Sequence, residues 1–138
     1  KMSKSDPSDY SRIMLTDSAE KISQKIKKAK TDPLPLPDNL DDLKSRPEAL
    51  NLISIFASLH DTSLEKIVAE YAGKEFSLFK SDLVDLAVSK LEPITSEMNK
   101  IMDDQEYLES VLNNGKESAI SVAEPVLAKT KEIIGFLS

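Results

Sequence analysis

The first five residues are the part of this sequence best suited to chemistry. Lys1 and Lys4 are three positions apart, so their side chains can approach a triphosphate from two sides. Two ammonium groups placed in this way would neutralise the charge that builds up when pyrophosphate departs. The hydroxyls of Ser3 and Ser5 can add hydrogen bonds to phosphate oxygens. The segment therefore predicts a mobile phosphate-binding loop, and the alternative is a solvated Lys/Ser terminus.

A second candidate site is a row of three lysines on one face of a predicted helix: Lys21, Lys25 and Lys28. Like charges at this spacing destabilise an isolated helix by roughly a few tenths of a kcal/mol each. The row is easier to understand if phosphates lie opposite, and we predict contacts with nucleic acid. A solvated face, with late lysines favoured by the helix dipole, is the alternative for any single lysine.

Composition excludes several kinds of site and partner. The chain has no cysteine and one histidine, which argues against disulfides and against a zinc or iron–sulfur centre. No apolar run approaches the roughly 20 residues that a membrane span requires. The net charge is −6, although residues 1–31 alone carry +4, so the positive field is confined to the beginning of the chain. This distribution argues against a general nucleic-acid binder.

Hydrophobic periodicity predicts an all-α fold, a helical bundle in residues 17–138 preceded by the loop and an extended connector in residues 1–16. Asp17 with Glu20 matches a capping box and predicts the beginning of the first helix. Similar pairs follow at Thr62 with Glu65 and at Asp103 with Glu106.

Two kinds of helix-breaking residue shape the rest of the prediction. Four prolines in residues 31–47 predict a linker without regular helix, built as a stiff spacer. From Glu48 onward only helices are expected, the apolar segment 48–60 lying at the centre of the core. Pro93 is expected to kink or split a long helix. Three glycines are expected at helix ends: Gly73, Gly115 and Gly135.

The pentapeptide Lys1-Met2-Ser3-Lys4-Ser5 resembles the second signature of the class I aminoacyl-tRNA synthetases. The sequence that follows is similar to the tryptophan-specific enzymes of that class over essentially the whole chain, and Lys4 resembles the bacterial or organellar type. The segments that carry this resemblance are Asp6, Lys25–Ala29, Thr31-Asp32, Asn51-Leu52, Gly73-Lys74, Phe79-Lys80, Asp85–Ala87 and Gly135-Phe136.

The resemblance implies that Lys1 and Lys4 bind ATP phosphates and stabilise the transition state of tryptophan activation, while Met2, Ser3 and Ser5 shape the loop. It implies ATP with Mg²⁺, L-tryptophan and tRNA(Trp) as partners. It also implies a homodimeric parent in the bacterial cytoplasm or an organelle matrix, and a helical domain that binds the anticodon region. The amino-acid pocket is expected upstream, so the 138 residues alone are expected to be inactive.

Three other interpretations stay open at this point. The chain could be part of a tyrosyl-type class I synthetase, which would activate tyrosine instead of tryptophan. It could be a non-catalytic helical interaction module whose first residues mimic the signature. A non-catalytic nucleic-acid binder is a weaker possibility, because the chain beyond residue 31 is acidic.

Overall fold

The computed structural model describes residues 6–136. These residues form a 3₁₀ turn and six α-helices and contain no β-strand, which confirms the predicted all-α class. The turn is Asp9–Ser11, and the helices are α1 Ala19–Lys28, α2 Leu40–Lys44, α3 Pro47–His60, α4 Leu64–Tyr71, α5 Phe76–Asp103 and α6 Gln105–Ile134. Within the described part of the chain, no helix has both the length and the apolar character that a membrane crossing requires.

The chain divides into two compact units, and the division falls between Met98 and Asn99. In the first unit, α3 supplies much of the buried core, including Ile53 and Phe56. Phe56 packs against Tyr71 of α4 and Phe79 of α5, with ring centroids 5.4 Å away in each case. Such aromatic contacts add to the stabilisation that burial itself provides. The central position predicted for residues 48–60 is therefore confirmed.

Three helices begin one residue later than their capping-box patterns predicted. The N-cap residues are Ser18, Ser63 and Asp104, each directly after the residue that had been expected to cap. The acidic side chain of each pattern therefore occupies the second helical position instead of the third. At Glu20, hydrogen bonds from its own backbone N–H and from Ser18 hold the pKa of the carboxyl below its ordinary value. An acid placed there interacts favourably with the free N–H groups of the first turn, so the pattern located the helix but misplaced its cap.

The proline-rich segment 31–47 is not the spacer that its composition predicted. It contains the short helix α2, and its side chains Leu36 and Leu43 are buried in the core. The backbone of Leu36 donates to the Lys74 carbonyl and accepts from the Gly73 N–H, both at 2.9 Å. Prolines rule out long regular elements, but they leave the leucines between them free to pack.

Arg46 fixes the shape of this segment. Its guanidinium group donates to both carboxylate oxygens of Asp32, at 2.9 and 2.5 Å. It also donates to the carbonyls of Pro35 and Leu34, at 2.6 and 3.0 Å, and lies 5.6 Å from the ring centre of Phe76. A planar group with five donors can satisfy several acceptors of an irregular backbone at once.

The predicted helix end at Gly115 is absent, and α5 is not split at Pro93. Helix α5 continues past Pro93, and the second unit contains one long helix, α6, which passes through both Gly115 and Pro125. A single interior glycine costs about 1 kcal/mol relative to alanine, which the good helix formers around it can offset. Gly73 and Gly135, in contrast, have positive φ values of 69° and 79° at the ends of α4 and α6, as predicted.

Candidate functional site

The connector that follows the predicted phosphate loop, residues 6–17, is held on α1 by one buried lysine. Lys25 Nζ lies 2.5 Å from Asp17 Oδ2 and 3.1 Å from Asp9 Oδ2. The side chains of Lys25 and Asp17 are 5% and 4% exposed, so the charged groups of this pair are shielded from solvent. A buried charge is tolerated when it is paired and hydrogen-bonded, and both conditions are met here.

Lys25 and Asp17 each shift the pKa of the other. Burial by itself would raise the pKa of Asp17, but hydrogen bonds from Lys25 and from the Met14 N–H hold that pKa below its ordinary value. Burial would lower the pKa of Lys25, but the hydrogen bonds to Asp17 and Asp9 raise that pKa above its ordinary value. Both groups are therefore charged at neutral pH, and each stabilises the charged form of the other.

Further contacts extend the anchor toward the phosphate loop. Arg12 Nη1 donates to the carbonyl of Asp6 at 3.1 Å, and Asp6 directly follows the pentapeptide. The same guanidinium lies 3.7 Å from Asp9, which in turn faces Lys25. On the exposed side, Lys28 Nζ donates to the Tyr10 hydroxyl at 3.1 Å and lies 4.6 Å from the centre of that ring. The connector is thus tied to α1 at Asp9, Tyr10 and Asp17, and Arg12 links Asp6 to Asp9 within it.

The end of α1 is also supported. Lys80 of α5 donates to the carbonyls of Ala29 and Lys27, at 2.7 and 3.3 Å, and to the hydroxyl of Thr31 at 3.4 Å. A cation at this place satisfies carbonyls that the helix end leaves free and interacts favourably with its dipole. Burial lowers the pKa of Lys80.

The residues of the two predicted sites differ in what the structure says about them. Those of the phosphate loop lie outside the described residues: Lys1, Met2, Ser3, Lys4 and Ser5.

The three lysines of α1 do not form one exposed row. Lys21 and Lys28 are exposed, whereas Lys25 is buried and faces two carboxylates. Contact with nucleic acid stays a prediction for the group. For Lys25 an internal ion pair accounts for the side chain without a phosphate.

Three residues of the anchor were not singled out by sequence reasoning: Asp9, Tyr10 and Arg12. Asp17 was noticed, but as a helix cap, whereas its carboxylate accepts from Met14 and Lys25. A mixed-charge connector before a lysine-rich helix was the available signal. It does not identify partners, because an irregular connector can place its side chains in many ways.

The described residues do not provide a preformed metal site. No group of three or more histidine or acidic side chains in residues 6–136 is arranged to hold an ion.

Comparison with known proteins assigns the chain to a family. The family model described as tRNA synthetases class I (W and Y) matches residues 1–87, which include the pentapeptide, the connector and α1. The chain belongs to this family. The anchor around Lys25 therefore lies in the part of the chain that the class I synthetases of tryptophan and tyrosine share.

Similar curated proteins cover this synthetase chain almost completely. A tryptophan–tRNA ligase of Rhizobium meliloti (strain 1021) is 54% identical over 137 residues, which are 99% of this chain and 39% of the relative. A tryptophan–tRNA ligase of Caulobacter vibrioides is 48% identical over 136 residues, with 99% and 40% coverage. One of Rickettsia felis is 45% identical over 137 residues, with 99% and 41% coverage. The chain thus spans about two fifths of the length of the relatives it matches.

Proposed function

We propose that this chain is the carboxy-terminal part of a tryptophan–tRNA ligase. The observation that carries the proposal is the match of 54% identity over 137 residues to a protein of that name, together with a family match that includes the pentapeptide. The relatives that were compared favour the tryptophan over the tyrosine enzyme, because each is named a tryptophan–tRNA ligase.

The reaction has two steps. A carboxylate oxygen of tryptophan attacks the α-phosphorus of ATP, the bond to the bridging oxygen breaks, and pyrophosphate leaves. A hydroxyl at the 3′ end of the tRNA then attacks the carbonyl carbon of the adenylate, and AMP leaves. In this chain Lys1 and Lys4 would bind the β- and γ-phosphates and stabilise the negative charge that develops on pyrophosphate. Met2, Ser3 and Ser5 would shape the loop around the nucleotide.

Magnesium would accompany ATP as its phosphate-bound counterion and would neutralise charge on the departing pyrophosphate. The described residues offer no cluster of ligands for it. The contribution of residues 1–5 would be cationic and hydrogen-bonding, since they contain lysine and serine and no acidic side chain.

The exposed lysines of α1 would contact tRNA(Trp). Lys21 and Lys28 are accessible, whereas Lys25 is buried in its ion pair with Asp17 and would make no direct contact. Each phosphate contact releases counterions, so this binding should weaken as salt rises. Substituting both Lys21 and Lys28 by Ala should weaken tRNA binding and reduce the slope of log Kd against log salt by about 2. An unchanged slope would mean that these lysines form a solvated face.

The parent would be a homodimer of the bacterial cytoplasm or an organelle matrix. It would use the helices of the present chain to bind the anticodon region. We expect the 138 residues alone to catalyse neither step, since the amino-acid pocket would be supplied by the rest of the protein.

The decisive experiment measures ATP–pyrophosphate exchange by the full-length protein, with tryptophan and tyrosine compared and Lys4→Ala tested in parallel. Exchange that requires tryptophan and falls strongly in the variant would support both the substrate and the loop's role. Removing one preorganised transition-state contact typically costs about 100-fold to 1,000-fold in rate. Exchange with tyrosine would assign the protein to the sister enzyme, and no exchange with either amino acid would refute the proposal.

A further inference from the structure

Lys25 has a position that neither catalysis nor tRNA binding directly requires. It lies on α1, twenty residues after the pentapeptide, and its ammonium group is enclosed by carboxylates that come from the connector. Both partners, Asp9 and Asp17, precede the helix. The side chain therefore joins the segment that leaves the pentapeptide to the first rigid element that follows.

The contacts form a continuous series. Asp6, the residue after the pentapeptide, is held through its carbonyl by Arg12, and Arg12 lies beside Asp9. Asp9 faces Lys25, and Lys25 is paired with Asp17. Asp17 also accepts from the Met14 N–H at 2.9 Å. A displacement of Lys25 would therefore free the connector at several points.

Stability alone is a weak reason for burying this pair. The desolvation of two charges often cancels most of their attraction, and apolar residues of similar size are frequently as stabilising. A paired charge has a different advantage, because its hydrogen bonds require one arrangement of the surrounding backbone. A catalytic loop gains from such fixation at its base, since the rate depends strongly on the placement of the groups that contact the substrate.

We propose that Lys25 is a positioning residue for the phosphate loop: through Asp9 and Asp17 it holds the connector so that Lys1 and Lys4 meet the ATP phosphates. This inference rests on the proposed function, because it concerns the same loop and the same first step. It assigns to Lys25 an effect on adenylate formation and none on tRNA affinity.

The test compares Lys25→Met with Lys30→Met in the full-length protein. Lys30 follows the end of α1 and is 86% exposed, with an ion pair to Glu48 at 3.3 Å, so it serves as the control for loss of one lysine. Lys25→Met should lower kcat of tryptophan-dependent ATP–pyrophosphate exchange by roughly 100-fold. The Kd for tRNA should stay within about twofold, and Lys30→Met should resemble the wild type in exchange. Lys25→Arg, which keeps the charge, should recover part of the rate.

A double-mutant cycle separates positioning from general destabilisation. If Lys25 acts through the loop, Lys25→Met should cost little further rate when Lys1 and Lys4 are both already Ala, because the contacts it positions are gone. If it acts on the fold as a whole, the two losses should multiply. Asp9→Asn provides a variant that should fold readily, since Asp9 is 53% exposed, and it should lower kcat by about fivefold.

The outcomes distinguish this inference from the proposed function. Wild-type protein that shows no tryptophan-dependent exchange refutes the function. Active wild type with unchanged exchange in both Asp9→Asn and Lys25→Met refutes the positioning role. Weakened tRNA binding with intact exchange in Lys25→Met would instead show that Lys25 contacts a phosphate. Multiplicative losses in the cycle would also overturn the inference.

Discussion

Two irregular segments of the first unit are each fixed by one cation, and they use it differently. The connector 6–17 is held by Lys25, whose compact ammonium group is buried between two carboxylates. The proline-rich segment 31–47 is held by Arg46, whose side chain is 15% exposed and donates to one carboxylate and two backbone carbonyls. Lysine here joins acidic side chains, whereas arginine holds the backbone itself.

The two cations depend on different kinds of partner. An ammonium group is a point charge, so its hold depends on the acids that surround it and is lost when they are neutralised. A guanidinium group also donates hydrogen bonds to neutral carbonyls, so part of the stabilisation it provides does not require a charged partner. The hydrogen bonds from Arg46 keep the pKa of Asp32 below its ordinary value. We therefore expect the connector to be destabilised mainly by removal of a charge. The proline-rich segment should be destabilised mainly by a change in the shape of its cation.

The largest expected effect is the loss of stability in Lys25→Met. The substitution leaves Asp17 buried without its cation, so the free energy of unfolding should fall by about 3 kcal/mol. Urea unfolding of the 138-residue chain measures this, with Lys30→Met as the exposed control. A loss below that of the control would mean that water replaces the lysine and that the pair is not buried in solution.

The second prediction exchanges the shape of the other cation while keeping its charge. Arg46→Lys cannot reach Asp32, Leu34 and Pro35 together, so the free energy of unfolding should fall by about 2 kcal/mol. The same unfolding measurement applies, and Lys44→Arg on the exposed end of α2 is the matched control. Full stability in Arg46→Lys would show that charge alone holds the proline-rich segment.

The third prediction uses pH to test the pair formed by Lys25 and Asp17. The pKa of Asp17 is lowered in the folded state, so its contribution is complete above the ordinary carboxyl value of about 4 and is lost as the pH falls toward the lowered value. The melting temperature should be measured from pH 6 downward, and the decisive range lies between about pH 5 and 3. As the pH falls, it should decrease less in Lys25→Met than in the wild type. Identical slopes in the two proteins would contradict the pairing.

The smallest effects concern the helix caps beside the two segments. Asn39 Oδ1 accepts from the Asp42 N–H at 2.8 Å at the beginning of α2, whereas Ser18 Oγ accepts from the Lys21 N–H at a longer 3.4 Å. Asn39→Ala should cost about 1 kcal/mol and Ser18→Ala about half as much. Chemical denaturation of the two variants checks this order. The reverse order would mean that α1 depends on its cap more than on the lysine anchor.

The sequence predicted the helices well because their apolar residues recur at helical spacing, as in α1 and α4. It placed three caps one residue early, since adjacent polar residues such as Asp17 and Ser18 can each cap and local patterns do not choose between them. It was wrong at Gly115 because the flanking residues continue the helix despite a poor helix former, and Pro93 likewise does not split α5. It also misjudged segment 31–47, where the decisive partner is Arg46, fourteen residues from Asp32.

The candidate site also has parts that a local sequence pattern predicts and parts that depend on distant residues. The pentapeptide is a local pattern and was recognised from the sequence, although it lies outside the described residues. The exposed character of Lys21 and Lys28 agrees with the predicted polar face. The burial of Lys25 could not be anticipated, because it depends on how an irregular connector folds back on α1 and places Asp9 and Asp17 around one side chain.

The paired hydrogen bonds between Leu36 and the Gly73–Lys74 turn have a consequence for the order in which the chain gains structure. They join residues about 37 positions apart, across α2, α3 and α4. Closing so long a loop is favourable only after the intervening helices have docked. These two hydrogen bonds should therefore form late in folding. Both bonds are made by the backbone of Leu36, one through its N–H and one through its carbonyl, so a displacement of this residue breaks the two together. The Leu36 and Gly73 amides should therefore show the same protection from exchange with solvent, relative to their intrinsic rates, and that protection should report the opening of the segment as one cooperative event.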